Sequence, residues 1–119
     1  MKTAREVSES YWAAECRRDL DGVLEHYRSD ATYEGPDGIR VGHDEIRAWY
    51  EVSMRDFPGL EVTIIRDFPA GDASALEFRA VLVDGEGRRL EVRGVNVVEV
   101  RDGRFVAVRS YEDPPRAMP

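Results

Sequence analysis

The sequence predicts an α+β fold in which N-terminal helices pack on a curved, mostly antiparallel β-sheet. Two observations carry this. Apolar residues recur at helical spacing through roughly the first half of the 119-residue chain and at every second position afterwards. The second half is rich in β-branched residues and is divided by short Gly/Asp-containing breaks, the pattern of a meander. Helices first and strands after them put the helices on one face of the sheet.

The elements follow in order. Thr3 and Glu6 have capping-box spacing and Ala4, Val7, Tyr11 and Ala14 follow on one helical stripe, which predicts a helix from about Thr3 to Arg18. Asp19 caps a short second helix with Leu20, Val23, Leu24 and Tyr27 inward. A strand, Ala31 to Glu34, runs into the turn Gly35-Pro36-Asp37-Gly38. A third helix follows His43-Asp44-Glu45, carries the stripe Ile46, Trp49, Tyr50, Met54 and Phe57, and stops at Phe57-Pro58-Gly59. Its aromatic stripe reads as core, with Trp49 or Tyr50 also reaching an apolar ligand. Strands are expected over Leu60–Ile65, Ala75–Val83, Leu90–Val100 and Phe105–Glu112, joined at Gly71-Asp72, Asp84-Gly85-Glu86-Gly87 and Asp102-Gly103. The tail from Pro114 to Pro119 reads as irregular. The length suits one domain, residues 1–119.

Composition narrows the function. Apolar residues are 42% and charged residues 34%, enough for a core. Seventeen Lys and Arg against 24 Asp and Glu give a net charge of -7, a field that disfavours nucleic acid and anionic membranes as partners. Apolar runs reach only four residues, as in Ala80–Val83, too short to span a bilayer. Met1–Ser10 lacks an apolar signal core and Cys16 is single, which suits a reducing cytoplasm and rules out an internal disulfide or a zinc cluster. His26 and His43 stand alone without metal spacing, so no metal is expected. No serine elbow and no Gly-rich phosphate loop occur, so neither covalent catalysis nor a nucleotide cofactor is expected.

Alternation in the strands sorts side chains into two sets. One holds Leu76, Phe78, Ala80 and Leu82 with Val95, Val97, Phe105, Ala107 and Tyr111. The other places Glu77, Arg79, Val81 and Val83 with Val92, Gly94, Asn96, Val98, Val106, Val108, Ser110 and Glu112. Neither set is polar enough to face only water, so one face should hold the helices and the other a second subunit, making a homodimer.

Several stretches resemble the NTF2-like superfamily, which includes SnoaL-type polyketide cyclases, ketosteroid isomerases and limonene-type epoxide hydrolases. They are Tyr27–Glu34 before Pro36, Gly42–Tyr50, Phe57–Leu60 and Arg101–Phe105 through Tyr111-Glu112-Asp113. The resemblance implies a cystatin-like cone, a curved sheet wrapped around a long helix with a deep pocket between them. It also implies a pocket tyrosine at Tyr11 and an oxyanion-side polar group at Asn96. The isomerase base position falls on Gly35, which cannot take a proton. The epoxide hydrolase pattern matches at Tyr33 but has Gly35, Glu77-x-Arg79 and Ser110 where its asparagine, Arg-x-Asp and last aspartate stand. The cyclase pattern needs an acid on the last strand: motif alignment favours Asp113 and strand parity favours Glu112, and a one-residue slip would exchange them.

The candidate catalytic residues are therefore Glu112, Asp113, Glu77, Arg79 and Asn96, with Tyr11, Tyr33, Trp49, Tyr50 and Ser110 around the substrate. The implied activity is cofactor-free acid-base chemistry on an apolar, carbonyl-bearing molecule, such as cyclisation or isomerisation. The alternatives are a non-catalytic ligand-binding or dimerisation module, and an epoxide hydrolase with rearranged acids.

Overall fold

The computed structural model describes residues 2–119, and its chain begins with the capping box that the sequence anticipates. The Thr3 hydroxyl accepts from the Glu6 amide at 3.1 Å and the Glu6 carboxylate accepts from the Thr3 amide at 2.9 Å, starting α1, Ala4–Cys16. Asp19 caps α2, Leu20–Glu25, by accepting from the Gly22 amide. Then come β1, Tyr27–Gly35, β2, Gly38–Val41, and α3, Gly42–Asp56. The rest is strand: β3, Gly59–Ala70, β4, Ala73–Val83, β5, Arg89–Arg101, β6, Arg104–Glu112, and a two-residue β7, Arg116–Ala117. No helix is long and apolar enough to cross a membrane.

Three differences from the sequence reading have local causes. Gly35-Pro36-Asp37-Gly38 closes a hairpin, Gly35 pairing with Gly38, so the exposed residues after the turn become strand β2. Tyr27 opens β1 instead of ending a helix. The tail pairs its Arg116 and Ala117 with Glu91 and Leu90, occupying the edge of β5 beyond the end of β6.

The sheet order is β2-β1-β6-β5-β4-β3, all antiparallel except β1 with β6. The sheet is thus mixed, and its long strands curl round α1 with α3 across the open end. Val7, Tyr11, Val23, Ile46, Leu76 and Phe105 are among the buried side chains between the layers. Burying each such side chain contributes roughly 1.5–3 kcal/mol.

Register decides which side chains reach that interior, and here one loop residue changes the reading. A four-residue β4–β5 loop over Asp84–Gly87 would set odd positions of β4 beside even positions of β5. The loop has five residues: Val83 pairs with Arg89, the Asp84 amide donates to the Arg88 carbonyl, and the Asp84 carboxylate accepts from the amides of Glu86 and Arg88. Leu76 therefore faces Asn96, and Phe78 faces Gly94. Glu77 and Arg79 move to the outer face, beside Val95 and Arg93. The outer face carries Glu77, Arg79, Glu91, Arg93 and Arg109 interleaved with Val95, Val97 and the exposed Tyr111.

A second register device acts at β5–β6. Asp102 (φ 54°) and Gly103 (φ 77°) make a two-residue turn with both centres left-handed. Val100 pairs with Phe105 but Glu99 with Ala107, so Val106 is an extra residue. Without that bulge Asn96 would stand beside Arg109, and Asp113 would share its face. With it, Asn96 pairs with Ser110 and Gly94 with Glu112.

Gly94 is required by close approach. A β-carbon there would lie 2.4 Å from the Tyr111 carbonyl oxygen and 3.1 Å from both the Phe78 ring and Glu112 Cγ. Gly94→Ala is expected to cost about 1–3 kcal/mol, because backbone must move. Urea denaturation measures it, and an unchanged midpoint would refute the crowding.

Candidate active site

The layers enclose an open-mouthed cavity of about 600 Å³, within the size range of small-molecule sites (about 300–1,000 Å³). Its walls are mainly apolar, with Leu60, Val62, Phe78, Ala80 and Leu82 from β3 and β4 and Trp12 from α1. Trp49 from α3 and Phe57 just past its end add to them, and Trp49 lies against Tyr33 with ring centroids 4.8 Å apart.

Most sequence-selected residues meet there. Tyr11, Tyr33, Trp49, Asn96, Ser110 and Glu112 all line the cavity. Four do not. Glu77 is paired with Arg66 at 2.9 Å and Arg79 with Glu91, both on the outer face for the register reason above. Asp113 lies past the end of β6 in an outer groove, its amide bonded to the Arg93 carbonyl. Tyr50 is fully buried behind the cavity and not on its wall. Of the two rival acids, Glu112 is the one on the cavity wall.

The polar groups are unevenly satisfied. Ser110 Oγ donates to Glu112 Oε2 at 2.7 Å, which holds the carboxylate at the strand end. No Lys or Arg pairs with Glu112 among the described residues. Asn96 is 6% exposed, and its Oδ1 has no hydrogen-bond partner in the structure. A buried amide oxygen without a donor costs about 1–3 kcal/mol, so it is a group awaiting one.

The sequence reading missed Glu15. It lies one helical turn beyond Tyr11 on α1, so the same face carries both into the cavity. An acid four residues from a pocket tyrosine, adjoining the stripe of Val7, Tyr11 and Ala14, was the available signal. Burial raises its carboxyl from 4.5 to about 7, with the Tyr11 hydroxyl and Arg18 pulling it down and Glu112 pushing it up. Arg18 Nη1 lies 4.0 Å from Glu15 Oε1. That arginine is held elsewhere: Nε and Nη2 donate to the Phe57 carbonyl at 3.0 and 2.6 Å, fastening the end of α1 to the end of α3. Glu15 is thus a carboxyl whose ionisation the apolar wall moves up to about neutral pH, with the Arg18 guanidinium at 4.0 Å holding it from rising further.

Behind Tyr11 stands a run of hydroxyls. Tyr11 and Tyr50 are hydrogen-bonded, and Tyr27 and Tyr50 are bonded at 2.8 Å. Burial raises all three phenols well above the ordinary phenol range. They are protonated at any working pH. Three protons and two mutual bonds leave one proton over, and a run from Tyr27 through Tyr50 presents it at Tyr11, the member on the cavity wall.

At the mouth, Arg40 grips Asp37 with both terminal nitrogens at 2.8 and 3.0 Å and lies 5.8 Å from the Trp49 ring centre. The histidines serve structure. His26 Nδ1 donates to the Gly22 carbonyl and its Nε2 accepts from Ser10, while His43 Nε2 donates to the Tyr27 carbonyl. Among the described residues no three His, Cys, Asp or Glu side chains converge as metal ligands would.

This architecture recurs among solved structures. An NTF2-like protein of unknown function from Burkholderia pseudomallei is 22% identical, with 95% of this chain and 92% of that one covered at a TM-score of 0.82. A Mycobacterium tuberculosis LEH-like epoxide hydrolase is 27% identical, covering 90% and 80% at 0.78. A Bacillus subtilis protein provisionally assigned as an isomerase is 22% identical, covering 93% and 86% at 0.84. No curated protein matches the sequence. The family model of the SnoaL-like domain matches residues 8–108, nearly the whole helix-and-sheet unit that encloses the cavity. The chain belongs to the SnoaL-like domain family.

Proposed function

We propose that this chain is a cofactor-free acid-base enzyme that moves a proton on an apolar, carbonyl-bearing small molecule, as in cyclisation or isomerisation. One observation carries the reading: two carboxyl groups in unlike surroundings, Glu15 and Glu112, share an apolar cavity with Tyr11 and Asn96. Environments that separate two acids assign them opposite roles.

Glu112, held by Ser110 and facing the mouth, is the base. Its second carboxylate oxygen takes a proton from the carbon beside the carbonyl, and the electron pair of that C–H bond moves onto the carbonyl oxygen. Tyr11 and the neutral Glu15 carboxyl donate hydrogen bonds to this oxygen, and the Asn96 amide supplies a third donor. Return of the proton from Glu112 to another carbon completes an isomerisation. Attack of the enolate carbon on a second carbonyl of the same molecule moves that carbonyl's electron pair onto its oxygen, and the proton held by Glu112 passes to this alkoxide to complete a ring closure. Glu15 can donate only while protonated, so turnover falls as pH rises through about 7.

Proton exchange with solvent tests this without the natural substrate. In deuterium oxide, apolar cyclic enones and β-diketones of a size to fill the cavity should gain deuterium beside the carbonyl, followed by NMR. A compound that binds the cavity but exchanges no faster than in buffer would contradict the proposal and favour a ligand carrier.

A second reading, epoxide opening, draws on the same pair of acids: Glu15 protonates the epoxide oxygen while Glu112 takes a proton from the attacking water. Labelled oxygen from water appearing in a diol product distinguishes it. The acids differ from the Arg-x-Asp arrangement expected of that chemistry, since Glu77 and Arg79 lie outside.

A further inference from the structure

We propose that the outer face of the sheet seats a second copy of this chain, and that the seated copy closes the outer side of the site at Glu112. The closing role rests on Glu112 acting as the base; the interface does not.

The first observation is where exposed apolar residues collect. Six large apolar side chains are exposed among the described residues, and five of them, Ile39, Val41, Ile65, Phe68 and Tyr111, lie on this face. The ladders join them. One row runs Ile39, Glu34, Arg109, Val97, Ala75, Phe68, a residue from each of six strands, and Val95 stands beside Tyr111 in the next. A contiguous apolar surface of this kind marks an interaction site.

The second observation says what covers it. The chain carries a net charge of -7, yet around these rows the charged side chains other than Glu34 are matched. Arg66 meets Glu77 at 2.9 Å, Arg109 meets Glu99 at 3.1 Å, and Arg79 and Arg93 both meet Glu91. A strongly charged partner finds little uncompensated field there, while two negative copies repel least through this face. Six strands about 4.8 Å apart, each contributing about six residues, give roughly 29 by 20 Å before side-chain relief is counted. That is the scale of a standard interface, about 800 Å² on each partner. A two-fold axis sets the same patch on both copies, sheet against sheet.

The third observation ties the face to the site. A groove of about 420 Å³ opens on it, bordered by Ile65, Val95 and Tyr111, and it shares Phe78 and Glu112 with the cavity. Glu112 is thus open to water on two sides. A copy lying over Tyr111 and Val95 roofs the groove and removes the outer water, and a carboxylate shielded from water interacts more strongly with what lies inside.

Sedimentation velocity of the full chain over about 0.1 to 100 μM tests the interface. The chain should run as two copies in the upper part of that range. Phe68→Arg and Val97→Arg lie on the face, outside the core and the cavity wall, and should run as single chains with unchanged circular dichroism. Each lowers the net negative charge, which alone would favour association, so their dissociation reports the contact. Glu51→Arg, exposed on α3, changes the charge more and should stay paired. The interface is overturned if the unaltered chain is single throughout, if the face variants stay paired, or if Glu51→Arg also dissociates. Deuterium exchange per chain should fall about tenfold in both single-chain variants. Equal exchange in single and paired forms overturns the closing role and keeps the interface. A paired chain that exchanges nothing keeps the interface but removes the base, and the closing role with it. A single chain that exchanges keeps the base alone.

Discussion

Glu15→Gln is expected to stabilise the protein by about 3 kcal/mol near pH 8 and to change little near pH 4, an unusual profile for a buried substitution. The sign follows from which state holds the proton. Burial raises the folded-state carboxyl from 4.5 to about 7, so between those values the folded state binds the proton more tightly than the unfolded chain. Below about 4.5 both states are protonated and the site costs nothing. Stability then falls as pH rises, by about 1.4 kcal/mol per pH unit, and levels off above about 7. Glutamine cannot ionise and escapes the whole loss. Urea denaturation of both proteins across this range measures the gap. A gap that shrinks with rising pH, or is absent near pH 8, would show that Glu15 ionises at little cost. A protein that retains a destabilising acid on its cavity wall has a use for it there, and the amide variant should also lose the decline in turnover above neutrality.

Glu112→Gln carries the largest expected effect on chemistry, a fall in exchange or turnover of about 10²–10⁴-fold, the usual contribution of a positioned base. The substitution keeps size and shape at an exposed strand end, and the Ser110 hydroxyl still finds an oxygen to donate to. Binding of a neutral ligand should therefore hold while the rate falls, placing the loss in the rate constant rather than in KM. Equal exchange rates in the two proteins would remove Glu112 from the mechanism and leave Glu15 as the only other acid deep in the apolar part of the cavity.

The sequence made the cone legible because its signals were local and redundant. The capping box at Thr3 and Glu6, the α3 stripe from Ile46 to Phe57 and the two-residue alternation of four strands each stand alone. Ser110 and Glu112 were found because they alternate along one strand, and Asn96 because the family resemblance implies a polar group there; that the three share a face depends on the Val106 bulge. Glu77 and Arg79 were misplaced because one loop residue inverts a face, and no local propensity separates a four-residue from a five-residue connection at Asp84–Arg88. The Val106 bulge is equally silent in composition, yet it selects Glu112 over Asp113. Glu15 escaped because an acid on a helix reads as solvent-facing. Only the closure of β3 and β4 over α1 turns that position inward, and such long-range burial has no counterpart in a helical period. The tyrosine run was hidden likewise, since Tyr11, Tyr27 and Tyr50 come from three elements that meet only after folding.

The central claim is that an acid on α1 titrates near neutrality inside this cavity. Selective carbon-13 labelling of glutamate carboxyls, with the Glu15 resonance assigned by its loss in Glu15→Gln, reads that acid directly. The account predicts a midpoint at about 7. A midpoint near 4.5 would mean that water reaches Glu15 freely and would contradict it.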